Sequence, residues 1–218
     1  MQYSYVVFCD LDETIINCKS LIEVYKAYCI ELNNLDIFEK IYKQLLIMKK
    51  IYSRNYINKW FYSNFKNIDQ QVMQDVINKW LYESLKNPKF FNPKVIKKLK
   101  QHNQENAFII VVSGSFYDCV NAICRYIPVN TLLCTTLKEI NGTYNGEILG
   151  NPIIGNGKVR AIKKYMHNNN LNFKNSFAYG DHISDLPMLY LADNPIIISK
   201  NNKDLLATAK KNGWGIIL

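Results

Sequence analysis

The stretch Val6-Val7-Phe8-Cys9-Asp10-Leu11-Asp12-Glu13-Thr14 decides how the rest of the chain reads. Its first four residues form the short apolar run of a buried strand, predicted over Tyr3 to Cys9. Two carboxylates one residue apart, Asp10 and Asp12, follow at the carboxyl end of that strand. A continued strand would send both side chains to one side, but the strand should end here. A loop then lets one carboxylate and a backbone carbonyl share a hard cation such as Mg²⁺, which prefers oxygen ligands. That leaves an Asp oxygen free to attack an electrophilic phosphorus. Alone, the pentapeptide Asp10–Thr14 reads equally well as a turn, because Asp and Thr are ordinary turn and cap residues.

Working outward, Ile15 to Pro88 has no strand-like alternation and almost no Gly or Pro. Apolar residues recur at helical spacing in Leu21, Val24, Tyr25, Tyr28, again in Ile41, Leu45, Met48, and again in Val72, Val76, Trp80, Leu81. A helical insertion directly after the first strand is predicted, with Trp60, Phe61, Tyr62 and Phe65 as packing residues rather than a ligand cage. From Pro93 the rhythm becomes alternating helix and strand. The predicted elements are helix 93–102, strand 108–112, helix 116–126, a short strand near Leu132 and a hairpin over 140–148 turning between Gly142 and Gly146. They continue with helix 158–167, strand 176–179, helix 185–191, strand 196–198, helix 203–212 and strand 214–217. This alternation argues for an open, mostly parallel α/β sheet flanked by helices.

Composition narrows the class. The 218 residues are 48% hydrophobic, the level of a globular chain. No apolar run approaches the roughly 18–20 residues of a membrane helix, and no basic region precedes an apolar stretch and cleavage site at the start. A cytoplasmic protein that does not enter the membrane is expected. The six cysteines, with no close CxxC pair, read as reduced buried thiols. The net charge of +9 raises the possibility of a nucleic-acid partner. The lysines are dispersed in short pairs such as Lys49-Lys50, however, which reads as a solvated face, and Asn/Lys/Ile/Tyr richness also follows from AT-rich coding sequence. The charge would in any case attract small anionic substrates.

In an open parallel sheet, ligands bind beyond the carboxyl ends of the strands. Three segments meet that condition: Asp10-Leu11-Asp12, Ser113-Gly114-Ser115 and Gly180-Asp181-His182-Ile183-Ser184-Asp185. Together they carry the parts of a phosphoryl-transfer site. Asp10 can be the nucleophile, and Asp12 the acid for the leaving alkoxide and then the base for water. The Ser113 hydroxyl and a backbone N–H beside Gly114 can bind phosphoryl oxygens, since glycine permits close approach. Asp181, with Asp185 four residues on, can complete a Mg²⁺ site. Lys158, after Gly155-Asn156-Gly157, can be the fixed cation that balances these aspartates.

On Asp10-x-Asp12-x-Thr14, Ser113-Gly114-Ser115, Lys158 and Gly180-Asp181-x-x-Ser184-Asp185, the chain resembles the haloacid dehalogenase superfamily, in its phosphoserine-phosphatase-like branch. That branch is subfamily IB, with a C1-type helical cap. The resemblance implies a Rossmann-like core over residues 1–14 and 89–218 and a helical cap over 15–88. It implies Asp10 as phosphorylated nucleophile, Asp12 as acid/base and backbone-carbonyl ligand, and Asp10, Asp12 and Asp181 around Mg²⁺. Ser113, Gly114 and Lys158 would bind phosphate, with Thr14 and Asp185 supporting. The expected activity is Mg²⁺-dependent hydrolysis of a small phosphomonoester through an aspartyl-phosphate. Candidate substrates are a phosphorylated amino alcohol, amino acid derivative or sugar, including a surface-polysaccharide building block. A phosphotransferase using the same intermediate and a polynucleotide phosphatase are the alternatives. Phosphoserine phosphatases carry a Glu where this chain has Lys19, and a cation there would repel a free ammonium. Lys19 and Arg54 could instead attract an acidic or hydroxylated part of the substrate.

Overall fold

The computed structural model describes residues 3–198 and 202–218; residues 1–2 and 199–201 of the expected core segments lie outside them. Six parallel strands form one sheet in the order β3 (Thr131–Thr135), β2 (Phe108–Phe116), β1 (Val6–Cys9), β6 (Phe177–Gly180), β7 (Asn194–Ile198) and β8 (Gly215–Ile217). Chain order runs outward from β1 in both directions, so β1 is the topological switch point of the sheet. A crevice opens at its carboxyl end.

Both faces of the sheet are covered, which is why its strands read as unbroken apolar runs. Val7, Cys9, Ile109 and Val111 point to one core, and Val6, Phe8, Ile110 and Val112 to the other. The second face is packed by residues of α7 (Asn156–Asn168), α8 (Leu186–Leu189) and α9 (Lys203–Asn212), among them Ile162, Met188 and Leu205. The first face carries α5 (Pro93–Gln104) and α6 (Tyr117–Cys124).

Between β1 and α5 lie four helices: α1 (Ser20–Glu31), α2 (Leu35–Met48), α3 (Arg54–Ser63) and α4 (Gln70–Leu85). Ser53 and Asp69 begin α3 and α4 by accepting the Tyr56 and Val72 N–H groups, the usual way to satisfy a helix's first donors. The buried stripes of these helices, Val24, Tyr25, Phe61 and Ile77 among them, join the same hydrophobic cluster as the sheet. Tyr25, Phe61 and Phe65 of the insertion pack edge-on or tilted against one another and Phe116 of β2, with centroid separations of 5.3–6.4 Å.

Four local expectations are corrected. The first strand begins at Val6, not Tyr3. Strand β2 runs on through Ser113-Gly114-Ser115 to Phe116, because Ser113 and Phe116 pair with Cys134 and Thr135 across a register shift. The hairpin of β4 (Leu137–Ile140) and β5 (Thr143–Ile148) turns at Asn141-Gly142, with φ of 52° and 79°, the two left-handed residues of a type I′ turn. Gly146 (φ +83°) instead lies within β5, where a Cβ would meet the Ser63 carbonyl. The helix expected over 185–191 divides into a 3₁₀ turn, Ile183–Asp185, and the short α8. Six asparagines (Asn33, Asn67, Asn106, Asn141, Asn170, Asn175) hold positive φ, a conformation Asn tolerates better than most residues. Part of the asparagine richness therefore has a structural use.

Candidate active site

Asp10 sits one residue beyond β1 and is anchored by its N–H to the Tyr179 carbonyl at 2.9 Å. The chain then folds back tightly, with the Leu11 carbonyl accepting the N–H groups of Thr14, Ile15 and Ile16 at 2.9–3.3 Å. This turn holds Glu13 at φ 61°, a left-handed conformation uncommon for a non-glycine residue. Asp12 turns toward α1, where its Oδ1 accepts the Ser20 N–H at 2.8 Å. Lys19, at the N-cap position, makes no side-chain cap, so the Asp12 carboxylate serves the helix end in its place. Thr14 is fully buried, and its hydroxyl donates to Asp181 Oδ1 at 3.3 Å, which ties the first loop to the loop after β6.

Ser113 is buried within the last half of β2, and its Oγ accepts the Ser115 N–H at 3.0 Å. Ser115 in turn meets Ser20 Oγ at 2.8 Å. The Gly114 carbonyl accepts the Tyr62 hydroxyl at 2.8 Å and the Asn58 amide at 3.4 Å, both from α3. Lys158 lies in the first turn of α7, directly after Gly157. A Cβ on Gly157 would come within 2.1 Å of the Pro152 carbonyl oxygen, so only glycine lets the helix start here and deliver the lysine inward. Lys158 is 3% exposed, and its ammonium contacts Asp10 Oδ1 and, at 2.8 Å, Asp185 Oδ1. Asp185 also accepts the His182 N–H at 3.1 Å.

Asp10, Asp181 and Asp185 each present an oxygen within 4.8 Å of the others. Burial raises the Asp10 and Asp181 carboxyls well above the usual range, and neighbouring acids add to it, Asp185 and Asp12 at Asp10 and Asp10 and Asp185 at Asp181, against the lowering pull of Lys158. The Lys158 pKa is raised as well: burial alone would lower it, but the Asp10 and Asp185 charges outweigh that and hold the ammonium protonated. One ammonium for three clustered carboxylates leaves a deficit of positive charge. An all-oxygen donor set of this kind fits a hard divalent cation such as Mg²⁺. The Asp12 carboxyl lies outside this trio, and its pKa is raised by burial against the opposing Ser20 hydrogen bonds.

The expected residues converge. A cavity of about 440 Å³ is lined by Asp10, Asp12, Ser113, Gly114, Lys158, Asp181 and Asp185, with Lys19 and Arg54 from the insertion. Lys19 is neutralised by Glu13 at 3.1 Å. Arg54 Nη1 reaches His182 Nδ1 at 2.6 Å and Ser184 Oγ at 2.7 Å, so the start of α3 is fastened to the loop after β6. His182 is occupied by these contacts and stands outside the carboxylate trio. Sequence reasoning passed over Lys49, Asn58 and Tyr62. Lys49 and Asn58 line the cavity, and Tyr62 holds its Gly114 wall. For Asn58 and Tyr62, helical spacing among apolar neighbours was the only signal, and it reads as packing; Lys49 read as one of the dispersed lysines.

A parallel α/β sheet with an acidic, lysine-neutralised crevice at its switch point defines the class. Residues 7–190 match the model for haloacid dehalogenase-like hydrolases. The chain belongs to that family. A phosphoserine phosphatase of Mycobacterium tuberculosis is 26% identical over 117 residues, covering 54% of this chain and 38% of that protein. The matched region therefore spans well under half of that relative's length. A Bordetella pertussis protein of unknown function superposes with a TM-score of 0.89 at 17% identity, covering 100% of this chain and 99% of that one. A phosphoserine phosphatase captured as a phospho-aspartyl intermediate analogue gives 0.69 at 19% identity, covering 99% and 93%. At these identities the structural likeness speaks to the fold. Among the described residues, no helix is long and apolar enough to cross a membrane.

Proposed function

We propose that the chain is a Mg²⁺-dependent phosphomonoesterase that works through an aspartyl-phosphate on Asp10. The observation that carries this reading is the division of labour between the two aspartates of the first loop. Asp10 is buried against Lys158 and the other acids, whereas Asp12 is held apart on the Ser20 N–H.

Lys158 occupies Asp10 Oδ1, which leaves the second carboxylate oxygen to attack phosphorus. As that O–P bond forms, the bond to the ester oxygen breaks. Asp12, whose pKa burial raises against the Ser20 hydrogen bonds, gives its proton to the departing alkoxide. The resulting Asp12 carboxylate then takes a proton from water as the water attacks the aspartyl-phosphate, returning Asp10 and releasing phosphate. Lys158 and the Ser113 hydroxyl bind the phosphoryl oxygens throughout. Asp10, Asp181 and the Asp12 carbonyl would hold Mg²⁺, which would neutralise phosphoryl charge. Thr14 and Asp185 position the loops that carry these groups.

Helices α1–α4, residues 15–88 with their linkers, act as the cap. Lys19, Lys49 and Arg54 on this side of the cavity favour a small substrate with a second acidic or hydroxylated part. The six free thiols suit a reducing, cytoplasmic setting. The test is release of p-nitrophenol from p-nitrophenyl phosphate with and without Mg²⁺, together with borohydride trapping of the acyl phosphate. Mg²⁺-dependent turnover, and homoserine at position 10 after reduction, are expected. Turnover retained by Asp10→Asn would refute the assignment.

A further inference from the structure

The lysines are spread along the sequence, but the acids are not. Residues 40–68 hold seven of the 27 lysines and arginines, Lys43, Lys49, Lys50 and Arg54 among them, and none of the 18 acids. This stretch therefore carries +7 of the net +9. Among the described residues, none of the seven cations has a carboxylate within ion-pair distance. At the centre of the stretch is the turn from α2 to α3, where, of residues 46–56, only Met48 is buried and the rest are exposed. Leu46, Ile47 and Ile51 are 44%, 60% and 69% exposed, and the half-exposed rings of Tyr52 and Tyr56 stack at 4.7 Å. The Lys49 N–H bonds the Leu45 carbonyl and the Tyr52 N–H the Met48 carbonyl, so the helical path continues past α2. Lys43, Leu46, Ile47, Lys50 and Ile51 recur along it at three- and four-residue spacing and share one face, opposite the buried Leu45 and Met48. Partial burial, then the nearby Lys19 and Arg54 charges, lower the Lys49 pKa against the pull of Glu13, so positive charge is in excess there. The chain at the other end of α2 also exposes Leu32, Leu35 and Ile37, but beside Glu31, Asp36 and Glu39. Of the two ends, only the α2–α3 turn joins exposed apolar side chains to charge of one sign.

We propose that the α2–α3 turn docks on an anionic lipid surface. Leu46, Ile47 and Ile51 enter the boundary between headgroups and acyl chains, and Lys43, Lys49 and Lys50 meet the anionic headgroups. Tyr52 and Tyr56 suit the same boundary, since each carries an apolar ring and a polar tip. The shape agrees with the chemistry. A turn exposed at nearly every residue is convex, so it fits a soft planar partner and offers no groove to a peptide segment. The side chains favour lipid over nucleic acid. A nucleic acid would share the cations and could stack bases on the two tyrosines, but it has no use for the three aliphatic residues. Attachment of this kind lies on the surface and needs no membrane-crossing helix. Lys49, Tyr52 and Arg54 also line the cavity of the active site, so docking brings the mouth of that cavity to the headgroups.

The experiment is co-sedimentation of the full chain with sucrose-loaded vesicles. Vesicles of equal parts phosphatidylglycerol and phosphatidylcholine should bind it, and phosphatidylcholine alone should bind at least about tenfold more weakly. Binding should fade as salt rises from about 0.1 M to 1 M, where the screening length falls from about 10 Å to 3 Å. Ile47→Ser/Ile51→Ser should weaken binding to the anionic vesicles at least about tenfold, through lost apolar burial. Lys43→Gln/Lys50→Gln should weaken it about fivefold per lysine. All four side chains are exposed, so both variants should melt at the temperature of the wild type. Lys210→Gln/Lys211→Gln takes the same charge from α9 and should lose far less. Equal losses from the two lysine pairs, or no loss from the isoleucine pair, would mean bulk attraction of a basic chain and would overturn the proposal. Absence of binding to the anionic vesicles overturns it too. Self-association abolished by the isoleucine pair would then give the face to a second copy, and salt-sensitive binding of a single-stranded oligonucleotide would give it to nucleic acid.

Discussion

Lys158 Nζ contacts Asp10 Oδ1 and lies 2.8 Å from Asp185 Oδ1, so one buried ammonium serves two buried carboxylates from different strand ends. Removing it leaves acids with no compensating charge, and uncompensated buried charge is far costlier than the pair was worth. Lys158→Met should therefore lose turnover and also lower stability by roughly 3 kcal/mol near neutral pH. Denaturant melts of wild type and variant read this directly. An unchanged midpoint would mean that the lysine is not neutralising the cluster.

The same charge deficit predicts a response to metal. Mg²⁺ should stabilise the folded wild type by about 2.7 kcal/mol at a free concentration a hundredfold above Kd, read as a higher melting temperature. Asp181→Asn removes one of the three crowded carboxylates. Its metal-free form should be at least as stable as the wild type, because repulsion is relieved, while its response to Mg²⁺ shrinks. Scanning calorimetry with and without Mg²⁺ tests both halves. A variant that keeps the full metal response would move the cation elsewhere.

Gly157 tests how the lysine is delivered. A Cβ there would clash with the Pro152 carbonyl oxygen at 2.1 Å, and no side chain can turn aside to relieve a contact with backbone. Gly157→Ala should lower stability by about 1–3 kcal/mol, the usual cost of overpacking. It should also reduce kcat, since the first turn of α7 must shift and carry Lys158 with it. A variant with normal stability and turnover would show that Lys158 does not depend on this start.

Much of the site was legible because the sheet rule converts sequence order into place. Asp10, Ser113, Lys158 and Asp181 each stand near the end of an apolar run or the start of a helix, and parallel strands bring such ends to one edge. The parts that could not be read depend on tertiary contact. Ser113-Gly114-Ser115 reads as a loop by composition, yet it continues β2 because β3 lies alongside to pair with it. Asn58 and Tyr62 sit at helical spacing among Ile57 and Phe61, so periodicity assigns them to packing. Only the approach of α3 to Gly114 gives them a polar task. Lys49 read as one of many dispersed lysines until the turn after α2 placed it at the cavity.

His102 on α5 predicts a pH dependence away from the catalytic groups. It is 4% exposed, its Nδ1 lies 2.8 Å from the Tyr5 hydroxyl, and its Nε2 lies 2.7 Å from the Tyr179 hydroxyl. The Tyr5 proton goes to the Glu105 carboxylate, so Nδ1–H donates to Tyr5 and Nε2 accepts from Tyr179, the pattern of a neutral imidazole. Burial lowers the His102 pKa in the folded protein, whereas an unfolded chain titrates near 6.5. As pH falls through about 6.5, the unfolded state gains a proton that the folded state does not, and stability drops until the folded pKa is passed. His102→Gln keeps a donor and an acceptor but cannot titrate. It should be less stable than wild type at pH 8 yet lose less on acidification to pH 5, so that the two stability curves converge. Because Tyr179 is followed by Gly180 at the end of β6 and by Asp181 of the carboxylate trio, the wild type's loss should also appear as earlier amide exchange at these residues. Parallel curves, with no flattening in the variant, would assign the acid sensitivity to other groups.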